Sequence, residues 1–205
     1  GGGADVVFHR RDAESAEEEK IGNSASSAPL RCKRIGGARL LAVVTLRPGE
    51  QGRHYRLPTE RDYEAVRKAQ ERLQSILDEW ERDGRQGLCP VPDEPTPAGG
   101  GSGAGRAFSV QRYGMLQWGD LFTARQKVAL VTLGRLTAET QRTQRKDGTG
   151  QAVHNIAALA ISRFADDYSA LCRWMDRETP CPTYSRNALP IIWDFCEIWP
   201  FDNAS

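Results

Sequence analysis

The sequence predicts a helix-dominated α+β fold: a small β-hairpin and three main helices, with a disordered N-terminal arm and a Pro/Gly-rich central linker. Three observations predict it. A strand–turn–strand signal occupies residues 38–58, three later stretches repeat apolar residues at helical spacing, and glycine and proline gather between them. With 205 residues, 39% of them hydrophobic, the chain can bury one sizeable core.

Residues 1–37 read as a flexible arm, because the block RRDAESAEEEK carries too little apolar surface to offset the entropy of ordering it. Residues 38–83 read as a β-hairpin plus a helix. ARLLAVVTL has strand length and β-branched content, RPGEQG is a turn cluster, and RHYRLP alternates as a second strand. Thr59 then stands as an N-cap with Asp62 three residues on, and Tyr63, Val66, Ala69, Leu73, Ile76, Leu77 and Trp80 recur along one helical face to about Arg82. Gly84 ends that helix.

Residues 84–107 lack periodicity and read as a linker, an exposed loop or tether. Residues 108–205 read as a helical hairpin with an aromatic C-terminal segment. FSVQRY suits a short strand, and Thr123 with Gln126 forms a capping box. Val128, Leu130, Val131, Leu133, Leu136 and Thr137 line the second helix. The third, from about Gln151 to Met175, carries Val153, Ile156, Ala157, Leu159, Ala160, Phe164, Tyr168, Leu171 and Trp174 as a face for an antiparallel partner. The tail NALPIIWDFCEIWPFDNAS is either a short buried helix or a surface for a protein partner.

A net charge of +1 gives no global attraction for phosphate, so any nucleic-acid contact must be local. Cys32, Cys89, Cys172, Cys181 and Cys196 form no C-x-x-C pair. Their odd number points to free thiols in a reducing, cytoplasmic setting, with no metal site. No apolar run reaches the roughly eighteen residues of a membrane span, and no secretion signal opens the chain. The start, GGGADVV without an initiator methionine, reads as the interior of a longer protein.

The run AGGGSGAGR invites a phosphate-loop reading, but Arg106 and Ala107 stand where G-x-x-x-x-G-K-[ST] needs Lys and Ser or Thr. His9, His54 and His154 lie in different elements with no base or orienting group beside them in sequence. Arg142, Arg145 and Lys146 suit the negative end of the second helix's macrodipole. Arg112, Tyr113, Trp118 and Arg125 interleave cations with aromatic faces, a pattern that can meet phosphates and stack on bases. Anchoring in the core or a loop is the competing reading for the same residues.

Four segments in order, GARLLAVVTLRPGEQGRHYRLPTERDYEAVRKAQERL, YGMLQWGDLFTARQKVALVTLGRL, AALAISRFADDYSALCRW and ALPIIWDFCEIWPF, carry a resemblance over about residues 38–205. Together they resemble the middle region of the large zinc-ribbon-containing adenine-specific DNA methylases of bacteria and archaea, often associated with phage defence. Y-G-x-x-x-W-G-D-L-F-T-x-R-Q and W-D-F-x-E-x-x-P-F are the most specific strings. The resemblance implies a D-P-F-x-G-G-G loop for S-adenosylmethionine upstream and a catalytic D-P-P-Y string downstream, both absent from these residues. Upstream of residue 38 the family's zinc ribbon has paired cysteines, and here Cys32 stands alone.

On that basis the chain is expected to be a fragment or inserted helical region of a DNA adenine N6-methyltransferase, inactive alone and holding no cofactor itself, with S-adenosylmethionine bound by the parent. Arg112, Tyr113, Trp118 and Arg125 form the expected DNA-facing set. Trp193, Asp194, Phe195, Glu197 and Phe201 form the expected seam against the flanking methyltransferase domains. The alternative is a non-enzymatic interaction or nucleic-acid-binding module whose aromatic C-terminal segment docks a protein.

Overall fold

The computed structural model describes residues 4–10, 34–35, 38–47, 49–100, 107–143, 149–185 and 187–199. The helix-dominated α+β class is observed, but its sheet is larger than a hairpin. The strands are β1 (Ala4–Arg10), β2 (Arg34–Ile35), β3 (Ala38–Thr45), β4 (His54–Arg56), β5 (Arg173–Trp174), β6 (Pro180–Cys181) and β7 (Asp194–Glu197). The helices are α1 (Glu60–Arg82), α2 (Ala124–Thr143) and α3 (Thr149–Asp167).

The expected hairpin is β3–β4, with Val43 opposite Arg56 and Thr45 opposite His54. Beyond it the sheet runs β2-β3-β1-β7, every pair antiparallel, with β4 also on β3. Two expectations are corrected here. Ala4–Arg10 and Arg34–Ile35, inside the stretch read as a flexible arm, are strands. The described part of the tail, through Trp199, forms no helix: Asp194–Glu197 pairs with β1, Phe8 opposite Phe195 and Val6 opposite Glu197. Pro190 disfavours a helical residue before it, and the aromatic and β-branched run that follows suits a half-buried strand.

Leu40 and Val43 of β3, Tyr63 of α1, Ala170 and Phe195 of β7 form one core cluster. Val110, Met115, Leu121, Leu171 and Leu189 form another, and Ile192 packs against both. α1 starts as expected: the Asp62 carboxylate accepts the Thr59 backbone N–H at 2.7 Å and binds Arg56 at 2.7 and 2.8 Å. Arg56, with help from Thr59, holds that carboxyl well below the usual range. A second tie joins β4 to the β5–β6 hairpin, where the Tyr55 hydroxyl donates to Glu178 at 2.8 Å and accepts from the Trp174 indole at 3.1 Å.

α2 and α3 pack side by side, with the Ala170 N–H donating to the Leu121 carbonyl at 2.7 Å where α2 begins and α3 has just ended. α3 stops at Asp167, short of the expected Met175. Ser169 breaks it by turning its hydroxyl onto the Leu171 N–H at 3.0 Å and Thr183 at 2.7 Å, local bonds that compete with helix. Thr183 also donates its hydroxyl to the Asp166 carbonyl at 2.6 Å. Burial pushes the Cys172 thiol up, so it stays protonated among these groups.

The expected burial of α3 is only partly met. Ile156 and Leu159 are 67% and 71% exposed, because their stripe lies on the side of α3 away from α2. FSVQRY is also corrected: apart from a single bridge from Phe108 to Leu189, it coils into a 3-10 turn over Val110–Tyr113. Gly114, at φ +83°, closes that turn.

Candidate functional site

The two most specific strings of the sequence meet in space. The first, from Tyr113 to Gln126, makes a 3-10 turn over Trp118–Leu121 and then enters α2. The Thr123 N–H donates to the Gln126 side-chain oxygen at 2.8 Å, so the capping box forms as expected. That box fixes the first turn of α2 and with it Arg125.

Arg125 reaches β7. Its Nε donates to Glu197 Oε2 at 2.7 Å and its terminal nitrogen reaches the same oxygen. Glu197 is 2% exposed and Arg125 24%, so the charges meet largely out of water. Beside them Tyr168 is buried, and that burial, reinforced by the Glu197 charge, drives its hydroxyl far above the ordinary phenol value. Farther along, the rings of Tyr113 and Trp193 meet edge to face, 5.3 Å between centroids and 84° between planes.

Thus the expected DNA-facing set and the expected seam are joined pairwise, Arg125 to Glu197 and Tyr113 to Trp193. Phe195, 2% exposed, lies inside the first core cluster and is not an outer seam residue. Trp118 is half-buried against the second cluster. Arg112 and Asp194 remain at the surface, and Phe201 lies outside the described residues. Cys32, Arg145 and Lys146 lie outside them too.

The segment read as a linker is tied to this junction. The Trp118 N–H donates to the Glu94 carbonyl at 3.0 Å, the Gly119 N–H to Pro92 at 2.8 Å, and the Thr96 N–H to Leu116 at 2.9 Å. The Thr96 hydroxyl, buried, donates to Met115 at 2.8 Å. Between Val91 and Thr96, therefore, the chain is a strap and not a tether. Low periodicity concealed it, because the strap is held by backbone bonds and not by an apolar stripe.

No family model, curated protein or solved structure matches the chain.

The strap explains the glycine of W-G-D. A Cβ on Gly119 would lie 2.5 Å from Val91 Cγ1 and 2.7 Å from the Pro92 carbonyl oxygen, distances at which backbone must shift. Gly119→Ala is expected to cost about 1–3 kcal/mol, read as a lower denaturant midpoint at unchanged slope.

Among the described residues no three His, Cys, Asp or Glu side chains gather as a metal site, and no helix is long and apolar enough to cross a membrane. The four described cysteines carry free thiols. His154 sets its Nδ1 3.4 Å from the Thr137 carbonyl, between α2 and α3. Asp120 turns its carboxylate onto the Leu116 and Gln117 N–H groups, both at 2.9 Å, so the acid of W-G-D shapes its own turn. Gly134, an isolated glycine inside the helical run VTLGRL, marks an open groove along α2, and that glycine is the groove's one signal in the sequence.

Proposed function

We propose that the chain is the inserted, mainly helical region of a cytoplasmic DNA adenine N6-methyltransferase, a scaffold between a cofactor-binding half and a catalytic half that lie outside these residues. One observation carries this. The two strings that resemble the methylase family most specifically form one junction, closed by the Arg125–Glu197 ion pair and the Tyr113–Trp193 ring contact. Residues with such mutual geometry hold elements in register; they do not wait for a substrate.

In this proposal S-adenosylmethionine and the extruded adenine belong to the flanking halves, where a D-P-P-Y string would accept from the base's amino group. Arg112 is the cation of the DNA-facing set left exposed for a backbone phosphate. Asp194 is the exposed member of the seam among the described residues.

The test is methyl transfer to duplex DNA by the protein whose reading frame encloses this chain, alongside residues 1–205 alone. The expected result is N6-methyladenine from the enclosing protein and none from the 205 residues. No adenine modification and no S-adenosylmethionine binding by the enclosing protein would contradict the proposal. So would transfer by the 205 residues alone.

A second reading, a non-enzymatic interaction module, is favoured by the exposed stripe of Ile156 and Leu159 on α3. A reading frame that continues into D-P-P-Y removes it.

A further inference from the structure

A groove of about 710 Å³ runs along α2, walled by the end of α3 and by the start of the strap. Its volume falls within the roughly 300–1,000 Å³ of small-molecule sites. Phe122, Leu130, Val131 and Ile161 make it apolar, and two cations, Lys127 and Arg135, line it. Arg135 lies 3.6 Å from Glu79 of α1. Lys127 makes no ion pair among the described residues. The charge of Asp120 reaches it, but that carboxylate is held by two backbone N–H groups.

Gly134 gives the second, independent observation. Glycine weakens a helix interior, and nothing among the described residues requires it here, since a Cβ would meet none of their atoms within 4 Å. Bare backbone therefore faces the groove seven residues beyond Lys127, about 10 Å along the helix at the usual rise. An apolar body can lie against Gly134 while its charged end reaches the ammonium.

We propose that this groove binds a small amphipathic carboxylate, a medium-length hydrocarbon chain lying over Gly134 with its head on Lys127. Arg135 is engaged by Glu79, which leaves Lys127 as the groove cation without an ion pair among the described residues and matches it to a head of one negative charge, whereas a phosphate calls for a guanidinium fork or a second unengaged cation. The hydrocarbon chain replaces water along the apolar wall. Burial disfavours the Lys127 ammonium, and a carboxylate beside it would offset that cost.

The experiment titrates the full chain with decanoate, decanol and decylammonium by calorimetry, for the parent sequence, Lys127→Met and Gly134→Leu. Both variants should fold: Lys127 lies at the groove wall, and leucine is the better helix former in open space. Thermal melts check that. Decanoate is expected to bind saturably at one site, at least about tenfold tighter than decanol. Lys127→Met should erase that preference while retaining decanol, and Gly134→Leu should abolish both.

Equal affinity for decanoate and decanol, tighter binding of decylammonium, no saturable binding, or binding that survives Gly134→Leu would overturn the proposal. So would a dimer of the chain, seen by sedimentation, that Gly134→Leu dissolves. No outcome depends on methyl transfer, so the site stands or falls apart from the proposed function.

Discussion

Replacing Arg125 by methionine is expected to destabilise the fold by about 3–5 kcal/mol, because it leaves the Glu197 carboxylate buried without its cation. Arg125 stands in the first turn of α2, where the helix macrodipole disfavours positive charge, so its place there is not explained by the helix. Its partner explains it. Glu197 sits on β7 at 2% exposure, and the ion pair fastens the α2 start to the far edge of the sheet. For a chain of this size the loss should lower the melting temperature by roughly 10 °C. Thermal and urea unfolding measure it, with the urea slope unchanged if the native topology survives.

Phe195→Ala is expected to cost a similar amount, about 3–5 kcal/mol, through lost burial and the cavity left behind. The ring is 2% exposed and packs with Leu40, Val43, Tyr63 and Ala170, so three elements meet on it. An outer seam residue would behave differently. Were Phe195 turned toward a flanking domain, its removal from the isolated chain would shift stability by less than about 0.5 kcal/mol. Equilibrium unfolding of the 205-residue chain separates these results.

Elements with local signals were the ones legible in the sequence. Thr59 with Asp62 announced α1, Thr123 with Gln126 announced α2, and the turn cluster RPGEQG joined β3 to β4. β1 and β7 were not legible, because their pairing is long-range: β7 becomes a strand on β1 from the opposite end of the chain, and β1 lies along β3 over its whole length. An acidic block following ADVVFHR drowned the short strand in the average of its surroundings. The end of α3 was overrun for a different reason: apolar spacing continues through Leu171 and Trp174, while the hydroxyls of Ser169 and Thr183 redirect the backbone.

The candidate site was legible as to residues but not as to partners. Alternating cations and aromatics in Arg112–Arg125 read as a nucleic-acid face because a sequence displays only near neighbours. The decisive neighbours lie far off, Glu197 being 72 residues from Arg125. Periodicity and capping rules reach only a few residues, so a pair across such a distance leaves no local trace. The groove on α2 had one trace, the glycine in VTLGRL, whose meaning depended on the absence of a packed neighbour.

The most direct test of the interlocking of the two strings is a double-mutant cycle on Arg125 and Glu197, using methionine at both positions and unfolding free energy as the readout. A coupling of about 2 kcal/mol or more is expected, with the double variant markedly more stable than Arg125→Met alone. Additive effects, together with a loss of DNA affinity from Arg125→Met at unchanged stability, would contradict it and return Arg125 to the DNA.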